Sequence, residues 1–275
     1  MIRGTMMSAT GDGESVRLNL FLAQVGIGSR RACDDIIASG KVRVNGRQVR
    51  TPGLKIHPDS DDVMVDGDRV SRPDRPIVLL LHKPTGVVST VADPEGRTTV
   101  IDLCRRYRRG RRLFPVGRLD VNTTGALLIT NDGALCYQLT HPRFQTPRTY
   151  QVRVRGNCSE RAIERLRRLS AGGRQRGSRG RGSIAGESVA RTQGKGSSVD
   201  LVRSLGKVSV LRITLREGRN RQVRRMCEEV GLHVVKLKRM SFGPISVRGL
   251  PRGSVRPLEK NELEKLDRFL NATGG

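Results

Sequence analysis

Three sets of residues in this chain have types and spacings that could do chemistry. Asp120 lies in VGRLDVNTTGALLITNDG, wedged between Arg118 and a Thr/Gly turn. Tyr150 stands near the start of the alternating segment RTYQVRV, and RNRQVRR puts four arginines (Arg219, Arg221, Arg224, Arg225) into seven positions. An ionised carboxylate can act as a nucleophile that divides a difficult reaction into two easier steps. A guanidinium beside it would keep it ionised by lowering its pKa. The bland alternatives remain open on spacing alone: Asp120 as a turn aspartate paired with Arg118, Tyr150 as core, and the arginines as a solvated face.

Other chemistries lack a signature. There is no Walker sequence, no H-E-x-x-H and no G-x-S-x-G, and the four histidines (His57, His82, His141, His233) stand far apart. The five cysteines are odd in number and never spaced C-x-x-C, so neither a metal site nor a disulfide framework is expected, and no cofactor. A metal-dependent hydrolase or nuclease would want a second carboxylate near Asp120. The nearest, Asp132, belongs to Asn131-Asp132-Gly133, which reads as a turn.

The elements that must position these groups follow from periodicity. RNRQVRRMCEEVG predicts a helix ending at Gly231, with Val223, Met226, Cys227 and Val230 as its buried stripe and Arg221, Arg224, Arg225 and Glu228 on another face. The glycine-bearing turn Glu217-Gly218-Arg219-Asn220 aims the free N–H groups of its first turn at a place that would welcome an anion. IVLLL predicts an apolar strand ended by His82-Lys83-Pro84; GALLIT, RTYQVRV and VSVLRITL predict three more. SERAIERLRRLS reads as a helix with Ala162, Ile163, Leu166 and Leu169 on one face, and Leu263, Leu266, Phe269 and Leu270 mark a last amphipathic helix. RRYRRGRR (105–112) reads as an exposed basic loop.

A smaller unit precedes this body. Leu18, Phe21, Leu22 and Val25 recur at helical spacing, Ser29 looks like the N-cap of a second helix with Ala32, Ile36 and Ile37 inward, and Asn45-Gly46 is a type I′ hairpin signal. Arg30, Arg31, Lys41 and Arg43 would be exposed on it. Residues 1–15 are expected to be a disordered N-terminus and 71–75 a linker. Residues 171–207 begin AGGRQRGSRGRG, with five Gly and four Arg in twelve positions, and are expected to be a flexible basic insertion.

The partner is implied by charge. Fifty-two Lys and Arg face 26 Asp and Glu, a formal net charge of +26. A body so charged repels itself unless it meets a polyanion, nucleic acid first and an anionic membrane surface second. No apolar run is long enough to span a bilayer, and MIRGTMMSATGDGES does not read as a signal peptide. The scattered cysteines fit a reducing compartment, so a cytoplasmic protein is expected. Five Phe, three Tyr and no Trp poorly supply a base-stacking platform, so backbone contacts must carry most of the affinity.

Two resemblances sharpen this reading. G-S-R-R-A at the turn into the second helix, with G-K-V-x-V-N-G after it, resembles the RNA-binding domain of the ribosomal protein S-four type. The resemblance implies that Arg30, Arg31, Lys41 and Arg43 lie against structured RNA. Asn19 departs from the acidic residue usual there, a change expected to affect packing alone. G-R-L-D-x-x-T-x-G-x-L-L-x-x-T-N-D-G, with D-P-E-G-R-T-T-V upstream and H-P-R-F-x-x-x-R-T-Y and E-G-R-N-R-Q-V-R-R-M downstream, resembles the pseudouridine synthases of the RsuA/RluB branch.

The resemblance implies an α+β architecture. Residues 16–70 would form the RNA-binding domain and 76–270 a catalytic domain with a mixed, mainly antiparallel central sheet flanked by helices. It implies an isomerase that detaches uracil from ribose, turns it and rejoins it through a ring carbon, with no metal or cofactor. Asp120 would be its nucleophile. Tyr150 would stack on the uracil and help remove the ring-carbon proton. Arg224 would be the basic residue that keeps Asp120 ionised, with Arg219 or Arg221 in that role under a different helix phase. Arg118 would fill the gap left when the base is flipped, which the chemistry requires. The expected substrate is ribosomal RNA, by resemblance of the large subunit, and the expected state a monomer with no membrane association. The competing expectations are a synthase acting on the small subunit and a non-catalytic ribosome-assembly factor.

Overall fold

The computed structural model describes residues 15–70, 76–108, 111–171 and 196–273. Most of the expected disordered N-terminus, the linker 71–75 and positions 172–195 of the expected insertion lie outside the described residues.

The first module runs β1 (Val16–Arg17), α1 (Leu18–Gln24), α2 (Arg30–Ala38), β2 (Val42–Val44), β3 (Arg47–Val49), β4 (Lys55–Ile56), β5 (Val63–Val65) and β6 (Asp68–Arg69). Leu18, Phe21 and Leu22 of α1 bury against Cys33 and Ile37 of α2 and against Val42, Ile56 and Val63. The inward pair of α2 is therefore Cys33 and Ile37, one helical turn apart, with Ala32 and Ile36 at the margin. The Ser29 hydroxyl caps α2, accepting from the Ala32 N–H at 3.1 Å. Asn45 and Gly46 both take positive φ (50° and 76°), as a type I′ turn demands. Asn19 is buried and its Nδ2 donates to Asp34 at 2.8 Å, tying α1 to α2.

The larger body comprises β7 (Val78–Lys83), α3 (Arg105–Arg108), β8 (Phe114–Pro115), β9 (Thr123–Thr130), α4 (Gly133–Thr140), β10 (Arg148–Arg155), α5 (Glu160–Ser170), β11 (Ser198–Leu205), β12 (Val208–Leu215), α6 (Gln222–Glu229), β13 (His233–Phe242), β14 (Ile245–Ser246), β15 (Val255–Pro257) and α7 (Lys260–Thr273). Its sheet has the order β11-β12-β10-β13-β9-β7-β15. Every neighbour along that path is antiparallel except β13 and β9, which run parallel. The sheet is thus mixed and mainly antiparallel, as expected. On one face, α5 and α6 cover β10, β12 and β13 through Ile163, Leu166, Val223 and Met226. Strand β7 buries Val78 and Leu80 toward α4 and α7 and Leu79 and Leu81 on the opposite side. Burial on both faces is why IVLLL is continuously apolar instead of alternating.

Four local expectations are corrected. Asn131-Asp132-Gly133 is no simple turn: the Asp132 carboxylate caps α4, accepting from Ala134 N–H at 2.8 Å and Leu135 N–H at 3.1 Å. Arg105–Arg108 is helical, not loop, because Cys104 is buried beside it and the Tyr107 hydroxyl donates to the Val255 carbonyl at 3.1 Å. Ser198–Leu205 is a strand inside the stretch expected to be an insertion; Val199 joins the core and the segment pairs with β12. Helix α6 starts at Gln222, not Arg219, since Arg221 sits in the left-handed region (φ 50°, ψ 28°) at its N-cap.

Candidate active site

Asp120 sits on the loop between β8 and β9, half-buried, at the edge of a cleft of about 1110 Å3. The loop is fixed from beneath. Leu119 plugs into the core, and the Ser89 hydroxyl donates to its carbonyl at 2.8 Å. Thr123 N–H closes a turn on the Asp120 carbonyl at 2.9 Å. The Nζ of Lys83, at the end of β7, donates to the carbonyls of Pro84 (3.0 Å), Asp120 (3.1 Å), Thr123 (3.1 Å) and Val121 (3.3 Å). Lys83 is fully buried, and loss of water pulls its pKa from 10.5 to about 8, while the negative charge of Asp120 pulls the other way. The lysine read as a strand terminator is therefore the strut under the aspartate's loop.

Tyr150 lies across the cleft in β10, opposite Arg239 of β13, next to a register shift between Thr149 and Tyr150. Beside it, Arg148 and Arg239 are buried, and their guanidinium carbons stand 5.2 and 4.8 Å from the centre of the Phe242 ring. Arg239 Nε donates to the Ala126 carbonyl at 2.7 Å. This close approach needs Gly125 (φ +116°): a Cβ there would collide with the Arg239 backbone. Desolvation lowers the pKa of both arginines. Neither was singled out from sequence; the available signal was an arginine at 239 on the inward side of a strand that also buries Leu237.

The remaining wall is the Glu217–Arg221 loop. Arg219, Arg221 and exposed Arg118 all line the cleft. Arg219 pairs with Glu217 at 3.0 Å, and Gln222 Nε2 bonds the same carboxylate at 2.5 Å. Arg224 does not sit on the Asp120 carboxylate: its Nη2 donates to the Asn122 carbonyl at 3.5 Å, and its buried Nε has no hydrogen-bond partner. Among the described residues no ion pair forms at the Asp120 carboxylate, and none is a cluster suited to a metal ion. Arg30, Arg31, Lys41 and Arg43 are exposed on the first module and line no part of this cleft. Lys41 pairs with Asp66 at 3.2 Å across exposed surface, and Arg43 bonds the Gly46 carbonyl at 3.3 Å.

A carboxylate and a tyrosine thus share one arginine-lined cleft on a mixed sheet, in a chain that carries a small helical module ahead of it. Comparison with known proteins names the class. Residues 77–229 match the RNA pseudouridylate synthase family and residues 16–63 the S4 domain. The chain is 38% identical over 250 residues to the ribosomal large subunit pseudouridine synthase B of Bacillus subtilis, covering 91% of this chain and 95% of that one. It is 36% identical to an RNA pseudouridine synthase of Aquifex aeolicus, covering 91% and 93%. Among solved structures, a pseudouridylate synthase crystal structure superposes with a TM-score of 0.59 at 27% identity, over 92% of this chain and all of that one. The chain belongs to the RNA pseudouridylate synthase family: it is an isomerase of RNA uridine built on an S4 domain and a synthase domain.

Proposed function

We propose that the chain converts one uridine of large-subunit ribosomal RNA to pseudouridine, with Asp120 as nucleophile. The observation that carries this is the meeting of Asp120 and Tyr150 in one cleft whose aspartate loop is locked from below by Lys83. The choice of RNA rests on the relatives named for the large subunit, from Bacillus subtilis and Pseudomonas aeruginosa. Tyr150 stacks on the flipped uracil and assists loss of its ring-carbon proton. Arg118 fills the vacated place in the RNA, and Arg219 and Arg221 hold flanking phosphates. Arg224 acts on the site through the Asn122 carbonyl, fixing the aspartate's loop. Arg30, Arg31, Lys41 and Arg43 bring structured RNA to residues 16–70, and 76–270 act as the catalytic unit. The enzyme works in the cytoplasm, as a monomer, away from membranes; among the described residues no helix is long and apolar enough to cross one.

Mapping pseudouridine in large-subunit rRNA from cells lacking this chain tests the proposal. One site is expected to disappear, to return with the intact gene and to stay absent with Asp120→Ala. Survival of every site, or restoration by the Ala variant, would overturn it.

A further inference from the structure

The buried cations of the cleft raise a question that nucleophile and stacking tyrosine leave unanswered. Arg239 is 2% exposed, yet it lines the cleft. Its Nε is satisfied by Ala126 and its guanidinium also bonds the Tyr150 side chain, but its Nη2 is buried without a hydrogen-bond partner. Arg148, 8% exposed, lines the same floor and spends Nη1 on the carbonyls of Thr146 (3.1 Å) and Arg216 (3.4 Å). Among the described residues neither guanidinium forms an ion pair with a carboxylate. The Phe242 ring that both approach offers only weak compensation. Two buried charges without counter-ions, one with an unmet donor, are costly to fold. Such an arrangement is useful where negative charge arrives during a reaction.

The isomerisation supplies that charge by either route open to Asp120. If the carboxylate bonds to C1′ as the C1′–N1 bond breaks, the bonding pair leaves on N1 and spreads to O2 and O4 of the uracil. If it bonds to C6, the C5–C6 π pair moves to C5 and onto O4. In both cases a uracil carbonyl oxygen carries charge that water would otherwise stabilise.

We propose that Arg148 and Arg239 form a cationic floor for the detached uracil, Arg239 donating from Nη2 to a uracil carbonyl oxygen as it becomes negative. The proposal rests on the isomerase reading of the cleft and adds two catalytic residues to it. In the C1′ route such a floor also holds the ring while it turns, since charge spread over both oxygens lets the same donor serve either orientation.

The test is single-turnover conversion of a large-subunit rRNA transcript by the intact chain, by Arg239→Met and by Arg239→Lys, with RNA affinity and melting followed in parallel. Loss of one such donor is expected to slow conversion ~100-fold, with affinity for the transcript changed less than about 3-fold; Lys, which keeps the charge, should regain roughly 10-fold. Replacing the target uridine by 2-thiouridine or 4-thiouridine, whose sulfur accepts hydrogen bonds poorly, should slow the intact chain and leave Arg239→Met insensitive at the same oxygen. Conversion by folded Arg239→Met at the intact rate overturns the proposal. So does an unchanged thio effect in that variant, which would mean that Arg239 acts only on neighbouring protein groups. Should both variants fail to fold, the intact chain decides, because indifference to both thio substitutions also overturns it. If the intact chain converts no large-subunit transcript, the failure is that of the proposed function.

Discussion

Two populations of cations divide this molecule. Lys83, Arg148 and Arg239 are buried within the synthase domain, while Arg30, Arg31, Lys41, Arg43, Arg118, Arg219 and Arg221 stand in solvent. The buried three shape the site: one struts the Asp120 loop through three of its carbonyls, and two line the cleft. We propose that the exposed seven shape the encounter, because in high dielectric each contributes little to folding but adds to the field that draws a polyanion. A net charge of +26 invites a single explanation, RNA binding, but it covers two kinds of work. Burial is what tells them apart.

Perturbing the buried set should cost most. Lys83→Met leaves several carbonyls under the loop unsatisfied and should lower stability by about 3 kcal/mol, with conversion falling ~1000-fold as Asp120 loses its support; denaturant unfolding and single-turnover rates read the two effects. Lys83 also gives this region a pH signature. The unfolded chain holds this proton up to 10.5 and the folded chain only to about 8. Between those values the unfolded state binds more protons, so stability rises with pH. The gap in unfolding free energy between the intact chain and Lys83→Met should therefore widen from pH 8 to 10.5; a flat difference would mean the buried amine does not titrate there.

Next comes the wall between the two sets. Tyr150→Phe keeps the ring but loses the hydroxyl, and ~100-fold slower conversion with unchanged RNA affinity is expected for a lost acid–base partner. Equal rates would reduce Tyr150 to packing.

The exposed set should respond last, and in affinity instead of turnover. Replacing Arg30, Arg31, Lys41 and Arg43 together by Ala should weaken RNA binding and reduce the slope of log affinity against log salt by about 3, one counter-ion or slightly less per phosphate contact. Melting temperature should hardly move. Any large loss of stability in that variant would dissolve the distinction between the two populations.

The sequence carried the order of domains and the location of Asp120 because both rest on local signals: a capped helix pair, an Asn-Gly hairpin and a string of motifs. It concealed Lys83, whose acceptors Asp120 and Val121 are 37 and 38 positions away and meet it only when the loop folds over the end of β7. Arg148 and Arg239 were hidden for a related reason, since an arginine in a strand looks the same facing in or out until its neighbours are placed. The late start of α6 came from one left-handed residue, Arg221, that periodicity cannot detect. Helix α4 was overlooked because the cap Asp132 shares its Asn-Asp-Gly context with ordinary turns.

The central claim is that Asp120 reacts and that the cations around it serve that reaction. Asp120→Asn keeps the shape of the side chain and removes its charge and nucleophilicity. Single-turnover conversion and RNA affinity should be measured together on this variant and the intact chain. The expected result is RNA bound within about 3-fold of the intact affinity and conversion slowed at least ~10,000-fold, as loss of a nucleophile elsewhere entails. Conversion within tenfold of the intact rate would contradict the account.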